Sequence, residues 1–171
     1  MKLSPISILL IASSLILGCH NSTPTSPSNG NDILYSNSFE SSADTVGWSG
    51  YGDFRLYASA PPGGGTRSLR VSGGCIVPHA SKRIVVSSSG GTFGLRCWAK
   101  NLSLGGGVQL FKSSDPFHGL SIQVSDTTWT ALESSGSLAC SPTDTLVLTF
   151  CSGGIVASAM LVDEVRIYRV Q

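Results

Sequence analysis

The side chains with the most chemistry to offer sit at alternating positions of short apolar runs. In Thr92–Lys100, Phe93, Leu95, Cys97 and Ala99 share one phase, and Arg96, Trp98 and Lys100 take the other. The same alternation turns Gln109 and Phe111 outward in Val108–Phe111, and Ser121 and Gln123 outward in Leu120–Val124. If these runs are neighbouring strands, one open sheet face collects Arg96, Trp98, Gln109, Phe111 and Gln123. Aromatic rings stack on the apolar faces of sugars, while planar amides and guanidinium groups bond to their hydroxyls, so this set suits a glycan. The stretch Trp48-Ser49-Gly50-Tyr51-Gly52-Asp53 offers a second candidate surface, with Trp48 and Tyr51 at the rim of the fold and Phe117 and His118 at the same end.

Catalysis finds little to use. Glycoside hydrolysis needs two carboxyls at a defined separation, and the acidic residues lie mostly in turn-like segments. His79 and His118 have loop-like surroundings and no nucleophile-elbow motif near them. The glycine triplets open no helical pattern and lack the lysine of a phosphate loop. A non-catalytic role follows. Outside the leader the basic and acidic residues balance, which leaves no basic excess for nucleic acid.

The start of the chain determines where these groups must work. Lys2 is followed by an apolar run from Ile6 to Leu17, shorter than the ~20 residues that span a bilayer, and then by Gly18-Cys19. This is similar to a bacterial lipobox, with Ile16 where leucine is usual. The similarity implies a signal peptide over residues 1–18 and a diacylated Cys19 as the new N-terminus. Two or three acyl chains, at about 0.8 kcal/mol per methylene, hold a protein firmly on a membrane. His20, rather than aspartate, after that cysteine implies an outer-membrane destination. Residues 21–31 read NSTPTSPSNGN, which cannot bury enough apolar surface to order itself, so residues 19–31 form the acylated cysteine and its tether. Residues 32–171 remain for one exported domain, long enough to bury its own core.

That domain has the composition of a sandwich. Charged residues are 12% of the chain and glycines number 20. Strands are expected at Ile33–Phe39, Phe54–Ala58, Ser68–Val71, Lys82–Ser87, Thr92–Lys100, Val108–Phe111, Leu120–Val124, Thr128–Ser134, Thr145–Cys151 and Met160–Arg169. About ten strands separated by Gly, Pro, Ser and Asp clusters predict an all-β, two-sheet antiparallel β-sandwich. Cys75, Cys97, Cys140 and Cys151 allow two disulfides in an oxidising compartment, in any of three connectivities. Spacing favours Cys75–Cys97 with Cys140–Cys151. A metal site competes weakly, because there is no Cys-x-x-Cys.

From Leu34 to Val170 the order of segments resembles the jelly-roll carbohydrate-binding modules of the galactose-binding-like superfamily. The resemblance is carried by Ser38-Phe39-Glu40, Trp48, Arg67-Ser68-Leu69-Arg70-Val71, Thr92–Lys100, Asp126-Thr127-Thr128-Trp129-Thr130 and Leu161-Val162-Asp163-Glu164-Val165-Arg166-Ile167. It implies one structural calcium ion pinning the first strand to the last through Glu40 and Asp163, helped by carbonyls around Ser68. It implies glycan binding by an envelope lipoprotein. The other function in view is a structural or adhesion lipoprotein that contacts proteins and has no sugar site. Exposure of Trp98 together with Arg96 and Gln109 separates the two readings.

Overall fold

In the computed structural model, residues 33–73, 77–154 and 157–170 are described. Strict two-residue alternation organises them into twelve strands: β1 (Ile33–Asn37), β2 (Trp48–Tyr51), β3 (Asp53–Tyr57), β4 (Ser68–Gly73), β5 (His79–Val85), β6 (Gly91–Ser103), β7 (Gly106–Lys112), β8 (Asp115–Val124), β9 (Thr130–Glu133), β10 (Leu138–Cys140), β11 (Thr145–Ser152) and β12 (Ser158–Arg169). One sheet runs β10-β6-β12-β4-β3, with β1 added along β12 and β9 along β6. The other runs β2-β5-β11-β7-β8. All pairings are antiparallel. This is the two-sheet sandwich expected, with two strands more than the sequence suggested.

The added strands are β2 and β10. Trp48–Tyr51 reads as a loop because of Gly50, yet Gly50 is what lets β2 pair with β5. A Cβ there would lie 2.0 Å from the carbonyl oxygen of His79. β10 is three residues long and pairs with Gly91–Phe93 at one end of β6.

The core lies between the sheets. Phe93, Leu95, Cys97 and Ala99 of β6 and Leu146, Leu148 and Phe150 of β11 all contribute to it and are buried. An aromatic cluster closes one part: Trp48 stacks on Phe150 at 4.8 Å between ring centroids, and Phe39 touches both at 5.7 and 6.1 Å. Phe39 is fully buried in a left-handed backbone conformation (φ 51°), where its amide donates to Asn37 Oδ1 at 2.8 Å. That conformation costs about 1–3 kcal/mol, which burial of the ring offsets. Trp48, expected at an exposed rim, is therefore a core residue. Lys82 also occupies a core-phase position, and its stem runs out to place Nζ on the Val46 carbonyl (2.7 Å) and near the Tyr35 ring.

The preferred Cys140–Cys151 disulfide does not form, and Cys75–Cys97 involves a residue, Cys75, outside the described ones. Cys97, Cys140 and Cys151 are free thiols. Cys140 belongs to the seven-stranded sheet and is joined by the Ser141–Asp144 turn to the start of β11. Cys151 stands at the far end of that strand, about 20 Å on, whereas a disulfide needs Cα atoms within about 7 Å. Cys97 points into the core, where burial pushes its thiol up to about 12.

Phe150→Ala should cost about 3–5 kcal/mol, the usual range for deleting a buried aromatic ring. Phe117→Ala, which removes a ring 91% exposed, should stay within about 0.5 kcal/mol of the parent. Chemical denaturation midpoints measure both, and equal shifts would place the core elsewhere.

Candidate functional site

The outer face of the five-stranded sheet is assembled by register. Its first row reads Tyr51, His79, Cys151, Gly107, Gln123 across β2, β5, β11, β7 and β8. The second reads Ser49, Ser81, Thr149, Gln109, Ser121, and the third Arg83, Val147, Phe111, Gly119. Serines, Thr149 and Gly107 make a low floor, with Ser81 and Thr149 sharing a hydroxyl hydrogen bond at 2.9 Å. Tyr51 and Gln123 rise on one flank, Arg83 and Phe111 on the other, and Gln109 within the floor. Tyr51 is 52% exposed, and Arg83, Gln109, Ser121 and Gln123 are exposed as well. With strands about 4.8 Å apart, the first row spans roughly 19 Å, room for several pyranose rings.

Gly119 and the β7–β8 hairpin shape one end. A side chain at Gly119 would collide with the Cβ of Phe111 at 2.8 Å, so only glycine leaves that ring beside an open neighbour. Lys112 pairs with Asp115 while Phe111 pairs with Gly119, so Pro116-Phe117-His118 bulges out of the ladder. The His118 ring meets Asp115 at 2.9 Å, which holds that carboxyl below the usual range. Phe117 projects into solvent.

The expected single face is thus split. Gln109, Phe111 and Gln123 share the five-stranded sheet, but Arg96 and Trp98 belong to β6 in the other. The alternation within each strand was right and the assumed adjacency of β6 and β7 was wrong. These two strands, consecutive in the chain, cross from one sheet to the other at Leu104-Gly105, where both residues have positive φ (63° and 75°). Tyr51 stays on the open face, although on a strand rather than in a loop. Ser81, Arg83 and His79 were missed because no facing was assigned within β5. The alternation of Ala80, Lys82 and Ile84 with Ser81, Arg83 and Val85 carries that signal, obscured by a lysine in the core phase.

The outer face of the seven-stranded sheet is covered around Trp98 and Asp163 and exposed along β3 and β9. Trp98 is half-buried and pairs with Asp163 and Ala131. Lys100 bonds to Ser59 Oγ at 3.3 Å and lies over the Trp129 ring, so the β3–β4 loop folds onto this face. Arg96 lies over the Tyr168 ring, whose hydroxyl donates to Glu133. These contacts make a minor second core with a charged rim.

Beneath the same loop Asp163 is fully buried. Its Oδ1 accepts from the Glu164 amide at 2.8 Å, but its Oδ2 has no partner. Burial first, with the Glu164 and Glu40 charges adding to it, raises its carboxyl to about 7. Val162 pairs with Leu69, which sets Asp163 beside Ser68, whose buried hydroxyl is also unpartnered. Glu40 accepts from the Thr66 amide (3.0 Å) and hydroxyl (2.9 Å) and from the Arg67 amide (3.2 Å), and these bonds hold its carboxyl below the ordinary range. Gly64 and Gly65 connect the two acids: a Cβ on Gly64 would stand 3.2 Å from Asp163 Oδ2, and one on Gly65 would collide with Glu40 Oε1. Two carboxylates and a hydroxyl around a glycine loop, with buried oxygens unsatisfied, fit a hard cation that takes oxygen ligands. Among the described residues no three His, Cys, Asp or Glu side chains converge, so carbonyls and water would complete its shell.

No protein-family model and no curated protein matches this chain. Solved structures do match its fold. The CBM22-1 xylan-binding domain of Paenibacillus barcinonensis Xyn10C is similar with a TM-score of 0.58 and 22% identity, over 82% of this chain and 97% of its own. A xylan-binding domain from CBM 22 gives 0.54 and 16% over 82% and 97%, and a family 16 carbohydrate-binding module gives 0.55 and 15% over 73% and 92%. The chain has the jelly-roll sandwich of carbohydrate-binding modules.

Proposed function

We propose that this protein is a non-catalytic glycan-binding lipoprotein of the bacterial envelope, which holds polysaccharide on the open face of its five-stranded sheet. The observation that carries the reading is the juxtaposition of Tyr51, Gln109, Phe111 and Gln123 around a floor of hydroxyls. Rings for stacking and amides for hydroxyl pairs stand on strands rather than loops, which limits the ordering cost of binding. The xylan-binding neighbours support it at the level of chemistry on a shared fold. Against catalysis stands the scarcity of acid: among the strands of the five-stranded sheet only Asp115 is a carboxylate, and His118 engages it. Two opposed carboxyls are what glycoside hydrolysis uses.

Affinity electrophoresis and titration calorimetry over a polysaccharide panel test this. Tyr51→Ala and Phe111→Ala should each weaken binding about tenfold or more, a loss of about 1.4 kcal/mol, at an unchanged melting temperature. Trp98→Ala should bind as the parent does. Binding lost in Trp98→Ala and kept in the other two would move the site to the opposite sheet. No binding to any polysaccharide would favour the adhesion reading.

The anchor is Cys19, directly after a leader outside the described residues, as are Cys19 itself and the tether that follows it. A lipid at this cysteine, with residues 20–31 as spacer, puts the binding face within reach of wall or surface polysaccharide, in the outer membrane where there are two. Expressed in bacteria with an alkyne fatty acid, the parent should take up label and fractionate with membranes. Cys19→Ala should do neither, and a labelled Cys19→Ala would place the lipid elsewhere.

The cation reading assigns one structural calcium ion to Asp163, Glu40 and Ser68. Without it, Asp163 keeps a proton when folded up to pH about 7 but only to 3.8 as a free side chain. The folded state then binds more protons in that window, so stability should fall as pH rises from about 4 to 7. Calcium should reverse that slope, since it needs the ionised carboxylate. At pH 8, calcium at a hundred times its Kd should add about 2.7 kcal/mol, and chelator should remove it. Asp163→Asn should abolish both the calcium response and the pH slope, and a melt indifferent to calcium and chelator would remove the ion.

A further inference from the structure

Acid is unevenly divided between the two sheets. Asp53, Glu133, Asp163 and Glu164 all lie on strands of the seven-stranded sheet, and three of them engage Arg55, Tyr168 or Arg166. The strands of the five-stranded sheet carry His79, Lys82, Arg83, Lys112 and His118 against Asp115 alone. Lys82 is spent on the Val46 carbonyl and His118 on Asp115. Arg83 is exposed on the open face, and among the described residues no carboxylate pairs with it and no side chain or carbonyl bonds to its guanidinium. The open face thus carries one uncommitted cation, Arg83, and the strands that form it carry no acid beyond the hairpin tip.

Arg83 shares its row with Phe111, the two separated by Val147, so their Cα atoms are about 10 Å apart. An arginine reaches toward its neighbours and offers a planar fork that matches a carboxylate with two parallel hydrogen bonds. A pyranose stacked on Phe111 with its exocyclic group toward Arg83 would bring that group within reach of the fork. A hydroxymethyl group there accepts one ordinary hydrogen bond, and a carboxylate accepts two charge-assisted ones. The absence of competing acids also lets the face attract a polyanion before contact.

We infer that the glycan held on this face is acidic: a polysaccharide bearing uronic-acid carboxylates, one of which is gripped by Arg83 beside a sugar stacked on Phe111. The inference rests on the glycan-binding reading above and names its ligand class.

The test presents polysaccharides in pairs to the intact protein, each uronic-acid polymer beside its carboxyl-reduced form, so that backbone linkage is constant and only the charge changes. The parent should bind an acidic member about tenfold or more tightly than its neutral partner, and added salt should narrow the gap. Arg83→Gln should bring the ratio close to one at an unchanged melting temperature. Arg55→Gln, which removes a cation from the other sheet, should preserve the ratio. Equal binding of acidic and reduced forms by the parent would overturn this inference and leave the glycan site standing. Binding of neither form in any pair would overturn both. A preference that survives Arg83→Gln would show that the face does not read charge through this residue.

Discussion

β12 holds the sandwich together through backbone hydrogen bonds to three strands. It pairs with β6 along most of its length, with β4 over its first half and with β1 over its second. Side chains alternate across a strand, so a slip of one residue here would turn Met160, Val162 and Ile167 outward and bring Arg166 and Tyr168 into the core. The core is thus what fixes the register. β12 still has to change neighbours midway, and it does so at the irregularity between Asp163 and Arg166, where Glu164 adopts φ 47°. An extra residue at that point hands the strand from β4 to β1 without losing the inward phase of Val165 and Ile167. The irregularity also leaves Asp163 buried beneath the β3–β4 loop with one oxygen unsatisfied. The change of strand partners and the proposed cation site therefore trace to the same local geometry.

How much was legible in the sequence follows from the range of each signal. Alternation is local, and it sorted Phe93 and residues 95–100, 108–111 and 120–124 between core and exterior. It carries nothing about which strand lies beside which. Arg96 and Trp98 were grouped with Gln109 and Phe111 because consecutive strands commonly pair, and here Leu104-Gly105 carries the chain across to the other sheet instead. Tyr51 was found for its ring and misplaced in a loop because Gly50 hides a strand that needs glycine for close approach to His79. The cysteines misled for a related reason. Separation in sequence says little about distance when a strand, β11, carries one member of the pair straight away from the other.

The proposed binding sheet and the other sheet differ in how far their outward groups are already engaged. On the seven-stranded sheet Asp53, Glu133 and Glu164 engage Arg55, Tyr168 and Arg166, and Arg96 and Lys100 lie over the rings of Tyr168 and Trp129, so most charges there have partners within the protein, Asp163 apart. In the five-stranded sheet the outward residues have few internal partners beyond the Ser81–Thr149 hydroxyl pair. A group already satisfied within the fold has little to offer a ligand, and an exposed one stands in water at little cost to stability. That asymmetry is the physical reason for locating recognition on the five-stranded sheet, even though both outer faces carry aromatic rings.

An open, shallow face of this kind buries less of a ligand than a cleft does, and each sugar it holds contributes modestly. The proposed lipid anchor would change what that weakness means. Many copies on one membrane would meet many repeats of one polymer, and once the first contact formed, the next would be effectively intramolecular. Avidity would then come from numbers, while single contacts release quickly. A deep, slow-releasing pocket would gain little in such an array. A flat sheet whose rings and amides repeat across neighbouring strands matches a polymer that also repeats.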